Sequence, residues 1–497
     1  MSETLTENLM HEGVLEANEL DRLLDGAFEP KTDAAHDAIT NAVHSLAEVA
    51  LENTAVISDD TISSINALIS EIDRILSEQV NHIIHHEDFR QLEGSWRGIE
   101  YLVSNTEVDE GLKLRVLNTS KKEVSQSFKK YSGISWDQNP LFKKLYEEEF
   151  GTAGGEPYGC LVGDYFFDHK AQDVAFLKGI SQIAAAAHAP FIAGSSPELL
   201  NMSSWQELSN PRDLTKIFQT AEYAPWRSFR DSENSKYVGL AMPRFLSRLP
   251  YSSKENPVDE FEFEEDITGS DHDKFIWTNS AYAMALNINQ AFKQYGWCTQ
   301  IRGVESGGIV EDLPCFTFGT DDGGVDMKCP TEIAITDRRE AELAKAGLIP
   351  LVHWKNTDYA VFISAQSLNA PAEYRDPDAT ANANLAARLP YLFPVCRFAH
   401  FLKCIVRDKI GTFTSRDEMD VYLNNWISDY VTPDSNASAD TKARFPLSSA
   451  QVEVVEDESN PGYYKAVFYL KPHYQLEGLT VSLRLVSKLP SEKDSNK

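Results

Sequence analysis

Strand-like apolar runs alternate with helical runs through the middle of this chain, and this alternation restricts the fold class more than any other feature. Strands are predicted at residues 112–117, 159–167, 190–193, 237–242, 334–335 and 359–364. Helices are predicted at residues 173–187, 280–295 and 338–346, because apolar residues there recur at helical spacing. The pattern predicts a mixed α/β fold, and 497 residues are enough for two to four domains.

Two apolar helices are predicted ahead of this α/β region. Residues 59–84 carry an apolar residue every three or four positions from Ile62 to Ile83. The next segment, residues 85–103, continues this spacing with Phe89, Leu92, Trp96, Ile99 and Val103. The spacing predicts a second helix that packs through this stripe, with a helix junction at its start.

The first 60 residues differ from the rest in charge. They contain fourteen Asp and Glu against Arg22 and Lys31, a net charge of −12. Two helices are predicted here, at 14–28 and 33–51, with a break at Pro30. The first has an apolar stripe formed by Leu20, Leu23, Leu24 and Phe28. Such a stripe fits a groove on a partner protein, or it packs on the body of its own chain.

The last fifth of the chain predicts a different arrangement. A helix is predicted at 392–407, and a capping-box pattern at 415–418 predicts a second helix at 417–430. Strands are predicted at 451–455, 463–470 and 479–486. Strands this close to a chain end are well placed to pair with another subunit.

Charge and hydropathy argue against several kinds of partner. A net charge of −30 disfavours nucleic acids and anionic membranes, which attract clustered Lys and Arg. No apolar run is long enough for membrane insertion, and no secretory signal precedes the first helix. The six cysteines are scattered, which is typical of reduced thiols in a cytosolic protein.

No segment carries recognisable catalytic, cofactor-binding or metal-binding chemistry. Adjacent histidines such as His85 and His86 point about 100° apart on a helix, whereas a zinc pair needs i, i+4 spacing. The glycine-rich stretches 303–308 and 319–324 lack the spacing of phosphate loops, which makes turns the expected structure. The acidic stretch 255–273 is predicted to be a solvated insertion rather than a calcium site. The sequence therefore predicts no enzyme, although 76 acidic residues leave a carboxylate-based enzyme open as an alternative.

Several of these segments resemble the large sheath subunit of bacterial type VI secretion systems, the TssC/VipB family. The resemblance spans roughly residues 60 to 490 in the same order and is carried by residues 85–103, 237–244, 248–251, 295–303, 328–332, 397–403 and 407–411. It implies a multi-domain fold of the contractile-sheath type. The implied division is an acidic helical arm at 1–57 that contacts the small subunit and the disassembly ATPase, a mixed α/β sheath body at 58–375, and a C-terminal sheath domain at 376–497 with the tube-side helix and the inter-subunit strands.

The resemblance also implies a structural function rather than an enzymatic one. Proteins of this family pair with a TssB/VipA-like small subunit, and the heterodimers self-assemble into a helical sheath around an Hcp-like inner tube. Contraction propels the tube, and a Clp-type AAA+ ATPase then disassembles the sheath. Baseplate proteins and a bacterial cytoplasmic location are implied as well. A sheath protein of a phage-like contractile particle is the alternative assembly.

Three sets of residues are assigned roles by this resemblance. The ATPase-recognition helix is expected to use Leu20, Leu23, Leu24 and Phe28. The inter-subunit strands are expected to use Tyr463, Val467, Tyr469, Val481, Leu483 and Leu485. The helix at 417–430 is expected to face the tube through Asp417, Glu418, Asp420 and Asn424, or to be an ordinary core helix.

Overall fold

The computed structural model describes residue 41 and residues 61–210, 213–259, 261–320, 322–409, 416–434, 436–456, 464–473 and 475. The α-helices are α1 Thr61–Ile84, α2 Glu87–Ser104, α3 Lys121–Lys130, α4 Ala171–Ala187, α5 Leu214–Phe218, α6 Ala224–Arg230, α7 Ser280–Tyr295, α8 Asp337–Lys345, α9 Pro377–Ala386, α10 Leu389–Lys409, α11 Arg416–Ser428 and α12 Ala439–Arg444. A helical stretch also runs through Pro140–Phe142 and Lys143–Phe150.

The strands are β1 Leu161–Phe167, β2 Phe191–Ser195, β3 Val238–Met242, β4 Phe245–Leu246, β5 Trp277–Thr278, β6 Ile309–Val310, β7 Thr317–Gly319, β8 Val325–Met327, β9 Leu348–His353, β10 Ala360–Phe362, β11 Leu447–Glu456 and β12 Tyr464–Pro472. The chain divides into two compact units. One contains residues up to Glu93 together with Arg248–Ile276 and Phe316–Asp326. The other contains Gly94–Ser247, Trp277–Cys315 and Met327–Lys497.

A six-stranded sheet forms the centre of the second unit, in the order β1-β2-β3-β9-β10-β6. The four strands from β1 to β9 are parallel, and β10 is antiparallel to both of its neighbours. Successive side chains of a strand point to opposite faces of the sheet. In β2, Phe191 and Ala193 therefore join one buried cluster while Ile192 joins another.

Helices cover both faces of this sheet, which explains why its strands are continuous apolar runs. On one face the sheet packs with residues of α4, α6 and α8, and on the other with residues of α7 and α10. Local sequence fixes the ends of these helices. Asn279 caps the first turn of α7 by accepting a hydrogen bond from the Ala281 amide, and Gly296 ends α7 with a φ of 80°.

A separate buried cluster forms the C-terminal part of the same unit. Trp297 stacks on Phe398 of α10 with ring centroids 4.4 Å apart. Leu423 and Ile427 of α11 and Val452 and Val454 of β11 bury against them. The antiparallel pair β11–β12 thus has one face on this cluster, and Val467 and Tyr469 of β12 are 41% and 56% exposed.

The predicted mixed α/β fold is confirmed, together with most of its elements. The helix predicted at 280–295 is α7, residue for residue, and those at 173–187 and 338–346 differ from α4 and α8 by one or two positions. Apart from residue 41, the helices predicted at 14–28 and 33–51 and the strand predicted at 479–486 lie outside the described residues.

Several local predictions were wrong. Residues 112–117 and 334–335 form no strand, while β9 and α3 were not predicted. The stripe expected to pack α2 is largely exposed: Phe89 is 38%, Leu92 55%, Trp96 64% and Val103 48% exposed. The residues that α2 buries are Gly94 and Gly98, because Tyr282 lies directly against Gly98. Helical spacing correctly predicted that these apolar residues share one face of α2, but it did not predict that this face is exposed.

Candidate assembly surfaces

The histidine-rich start of α2 is a helix junction, as its spacing predicted. His85 Nε2 lies 3.2 Å from Glu265 Oε1, whereas His86 is exposed and its Nδ1 accepts a hydrogen bond from the Asp88 amide. The two rings therefore have different partners. Among the described residues, no group of three or more His, Cys, Asp or Glu is arranged to hold a metal ion.

The glycine-rich stretch 303–308 is a turn whose amides bond to the protein itself. Gly303 donates to the Phe362 carbonyl at 2.7 Å, and Phe362 donates to the Gly308 carbonyl at 2.8 Å. Gly303 and Gly307 have φ values of 78° and 74°, which favour glycine. The backbone donors of Gly303 and Phe362 are thus already used.

The acidic stretch 255–273 is anchored, which corrects the expectation of a solvated insertion. Glu265 is 8% exposed and accepts hydrogen bonds from Arg248 at 2.6 Å and from the Tyr251 amide at 2.9 Å. Arg248 also donates to Glu93 at 2.6 Å and lies 4.2 Å from the centroid of the Tyr251 ring. Burial lowers the pKa of the Arg248 guanidinium, but its hydrogen bonds to Glu93 and Glu265 outweigh this effect and leave the pKa raised. The cluster is structural, since a buried cation needs such partners.

The outer edge of β11 is covered by side chains of α11. The Asn424 amide group bonds both backbone groups of Val452, donating to its carbonyl at 2.8 Å and accepting from its amide at 2.9 Å. One turn earlier, Asp420 accepts from the Val454 amide at 3.1 Å. Asn424 also donates to the Asp420 carbonyl at 2.9 Å. These two side chains occupy positions that a neighbouring strand would otherwise take.

The outer edge of β12 has no such cover in the described part of the chain. Val452 faces Phe468 in the β11–β12 register. Since the backbone groups of Val452 point outward to Asn424, those of Phe468 point to the opposite edge of the pair. Among the described residues, β12 pairs with β11 alone. Within the described ranges, the β11–β12 pair therefore has one edge covered by α11 and one edge whose backbone groups are not paired with a further strand.

The structure describes only some of the residues predicted for the three assembly roles. Asp417 and Glu418 lie exposed in the first turn of α11, while Asp420 and Asn424 hold β11. Val467 and Tyr469 are exposed on β12. The remaining predicted residues lie outside the described ranges: Leu20, Leu23, Leu24, Phe28, Tyr463, Val481, Leu483 and Leu485.

Sequence reasoning missed the edge-covering function of Asn424 and Asp420. The family resemblance instead implies a tube-facing position for both residues. An Asp and an Asn one turn apart give no signal of a strand edge, and the contact depends on how α11 packs on β11.

One described helix, α10, is long and apolar enough to cross a membrane by length and composition. Half of its most apolar window is buried within the protein. Residues of α10 line two of the buried clusters, as expected of a core helix.

Comparison with known proteins identifies matching sequence families over most of the chain. The VipB family model described as the tail sheath N-terminal domain matches residues 66–369. The VipB_2 model, described as the tail sheath gpW/gp25-like domain, matches residues 378–489. The type VI secretion system sheath protein TssC1 of Pseudomonas aeruginosa is 63% identical over 498 residues, which cover 100% of each chain.

Solved structures give weaker likenesses. A chain of the anti-feeding prophage baseplate is 11% identical, with 79% of this chain and 87% of that chain covered and a TM-score of 0.37. A chain of the contracted anti-feeding prophage helical sheath is 12% identical, with 79% and 86% covered and a TM-score of 0.32. TM-scores this low decide neither a shared fold nor a shared function.

Proposed function

Because this chain belongs to the TssC/VipB family of type VI secretion sheath proteins, we propose that it forms a heterodimer with a TssB/VipA-like small subunit. The chain is a structural large subunit of the contractile sheath, and its family is not an enzyme family. The observation that carries this conclusion is 63% identity to a type VI sheath protein over the full length of both chains. The same identity disfavours a phage-like particle and a carboxylate-dependent enzyme.

The heterodimers polymerise around an Hcp-like tube, and contraction of the sheath propels the tube. Subunits of a helical assembly need contacts that persist while the subunits rotate, and strand addition provides them through backbone hydrogen bonds. The covered edge of β11 and the open edge of β12 support addition at β12, beside Val467 and Tyr469. Residues 479–486 supply the matching strand of a neighbouring subunit.

We place the tube-facing surface at the first turn of α11. Asp417 and Glu418 are exposed there and remain candidates for contact with the tube. Asp420 and Asn424 are engaged with the backbone of β11, and we therefore assign them to the hairpin instead.

The other partners follow from the family and from the acidic N-terminal segment. A Clp-type AAA+ ATPase recognises the stripe formed by Leu20, Leu23, Leu24 and Phe28, and baseplate proteins start sheath assembly in the bacterial cytoplasm. The domain division at 57 and 375 is kept as part of this proposal. The change from one family model to the other between residues 369 and 378 supports the second boundary.

Co-expression with a TssB/VipA-like small subunit, followed by electron microscopy, tests the proposal. The expected result is tubular particles with cogwheel-like cross-sections that contain both chains. A chain that stays monomeric in the presence of the small subunit would contradict heterodimer formation. Tubes that form equally well from this chain alone would contradict the need for a small subunit.

A further inference from the structure

Residues 113–118 have the pattern of a strand but lack a strand partner in the described chain. The segment alternates between charged and apolar side chains at Lys113, Leu114, Arg115 and Val116. Among the described residues, the backbone groups of residues 113–118 make no hydrogen bond. Val116 is 72% exposed and Leu117 is 50% exposed. The segment therefore offers backbone donors, backbone acceptors and apolar side chains to another chain.

A cavity of about 360 Å³ lies directly beside this segment. Residues 112–115 form part of its wall, and α7 and α10 form much of the remainder. Its apolar lining includes Leu102, Ile288, Phe292, Trp297, Phe393 and Val162. The volume is well above the roughly 30 Å³ share of one water molecule, and it falls within the range of ligand pockets.

Two polar atoms of residues that line the cavity have no hydrogen-bond partner among the described residues, Arg397 Nε and His400 Nδ1. The guanidinium carbon of Arg397 lies 5.7 Å from the Phe292 ring centroid and 4.7 Å from that of Phe401, and His400 is 2% exposed. Both atoms have almost no accessible surface, so a molecule in the cavity meets the apolar parts of its lining rather than these two atoms.

The hydrogen-bond roles of these two groups are complementary. His400 Nε2 lies 2.9 Å from the Ala187 carbonyl, which can only accept, so Nε2 carries the proton and Nδ1 is the acceptor. Burial lowers the pKa of His400 to about 4, which keeps the imidazole neutral. Arg397 Nε–H is a donor. An apolar side chain can fill the space between the largely apolar walls.

The chain around the segment also has an unusual charge. Residues 112–144 contain eight Lys and Arg against Glu123 and Asp137, a net charge of +6 in a chain of net charge −30. Lys122, Lys129, Lys130 and Lys143 are exposed, and they form no ion pair with other described residues. Lys113 and Arg115 of the segment itself already pair with Glu149 and Glu156, so Lys122, Lys129 and Lys130 of α3 are the cations that would favour acidic side chains on the bound segment.

We propose that an extended, apolar and acidic segment of the small sheath subunit pairs with residues 113–117 and inserts an apolar side chain into the cavity beside Arg397 and His400. The proposal rests on heterodimer formation and names the surface at which it occurs. Backbone pairing supplies general affinity, and the cavity supplies selectivity for the side chain that enters it.

Amide hydrogen exchange allows a direct test. The backbone groups of residues 113–118 make no hydrogen bond to other described residues, and the exposed residues 372–376 are the internal reference. Exchange rates are measured by mass spectrometry for the chain alone and with a TssB/VipA-like subunit. At about ten times the Kd of the small subunit, exchange at residues 113–118 should slow about tenfold while that at residues 372–376 stays unchanged.

Each other outcome overturns a defined part of the proposal. Unchanged exchange at residues 113–118 within a formed heterodimer would overturn the docking site while leaving the heterodimer intact. Absence of a heterodimer would overturn the proposed function, and the docking site with it. Protection that rises with the concentration of this chain alone would identify a second copy as the occupant.

A pair of substitutions gives a second test at exposed positions. Val116→Asp should weaken binding of the small subunit at least about tenfold, because it places a charge in the paired segment. Val325→Asp is the matched control, since Val325 is 78% exposed on β8. Equal affinities for the two variants would contradict pairing along residues 113–117.

Discussion

At the scale of single residues, Arg248 carries a positive charge into an apolar interior and depends on two carboxylates there. Its side chain is 6% exposed, and those of Glu265 and Glu93 are 1% and 13% exposed. No sequence pattern links these residues, because Glu93 and Glu265 lie 155 and 17 positions from Arg248 along the chain. Only the folded chain brings them together.

Removing Arg248 should therefore destabilise the protein strongly. Arg248→Met leaves Glu265 buried without its cation, at a cost of about 3–5 kcal/mol in the free energy of unfolding. The measurement is the midpoint of urea unfolding by tryptophan fluorescence. Arg74→Met is the control, because Arg74 forms exposed ion pairs with Glu71 and Glu78 and should change the midpoint little. Similar shifts for both variants would contradict a structural role for the buried cluster.

His400 should make stability depend on pH. Burial, together with the positive charges of Arg397, His188 and Lys403, lowers the pKa of His400 from 6.5 to about 4, against the opposing hydrogen bond to Ala187. Between these pH values the unfolded chain binds a proton that the folded chain does not. The free energy of unfolding therefore falls as the pH drops from 6.5 to 4, by up to about 3 kcal/mol.

The variant His400→Gln should flatten this dependence, since glutamine does not titrate and retains a donor for the Ala187 carbonyl. Urea unfolding at several pH values between 4 and 6.5 measures the slope. His86→Asn, at an exposed position, is the control. A slope in His400→Gln equal to that of the unaltered protein would show that His400 does not carry the effect.

Trp96 shows what periodicity leaves undecided at the residue scale. Its spacing with Leu92 and Ile99 predicted a packed stripe, yet Trp96 is 64% exposed. An exposed tryptophan on an assembling subunit fits an interface, where aromatic residues are enriched. Trp96→Gln should change the free energy of unfolding by less than about 0.5 kcal/mol and reduce sheath yield by electron microscopy. Full sheath yield would show that Trp96 lies outside the assembly contacts.

At the scale of elements, α11 and β11 depend on each other through the backbone of β11. Asn424 replaces a neighbouring strand by bonding both backbone groups of Val452. A strand edge that is covered in this way cannot recruit another chain. Among the described residues, this arrangement leaves the outer edge of β12 as the edge of the pair at which the proposed strand addition can occur.

Opening this edge should have two measurable effects. Asn424→Leu leaves the Val452 amide and carbonyl without partners, at a cost of about 1–3 kcal/mol in the free energy of unfolding. It also exposes a strand edge, so light scattering should detect aggregation at concentrations where the unaltered chain stays clear. Asn425→Leu, at the adjacent exposed position of α11, is the control. Equal aggregation of the two variants would contradict the edge-covering role.

The helices and strands that could be predicted are those whose packing partners belong to the same chain. The run at 237–242 was identified because β3 is apolar on both faces and is buried on both. The run at 348–353 contains Pro350, which argues against a central strand, yet β9 pairs with β3 at that position. The run at 112–117 alternates as a strand does, but the described chain provides no strand to pair with it. An alternating sequence pattern shows that a segment can form a strand. Whether the segment pairs depends on whether another strand lies beside it.

At the scale of the whole molecule, function was predictable from a family resemblance and the assembly surfaces were not. Long segments in a fixed order identified the sheath family, which 63% identity to TssC1 supports. A subunit whose partners are separate chains is expected to show such features as an exposed Trp96 and strand edges that pair with no other strand among the described residues, as at residues 113–118 and β12. The sequence of one chain carries no direct information about the surface of its partner. Within a single chain, exposed apolar residues that contact a partner therefore look like core residues in the wrong place.

The end of the chain gives the sharpest test of assembly at this scale. Removing residues 463–497 would also remove β12, which packs on the cluster around Trp297, and would confound folding with assembly. A chain ending at Gln475 keeps β12 and the bonds from Gln475 to Thr299 and Arg302, but it lacks the predicted strand 479–486. If that strand joins the open edge of β12 in a neighbouring subunit, the shortened chain should bind the small subunit with unchanged affinity and form no sheath. Size-exclusion chromatography measures the first property and electron microscopy the second. Sheaths of normal length from the shortened chain would place the lattice contacts elsewhere, whereas loss of the heterodimer would assign residues 476–497 to contact within the pair.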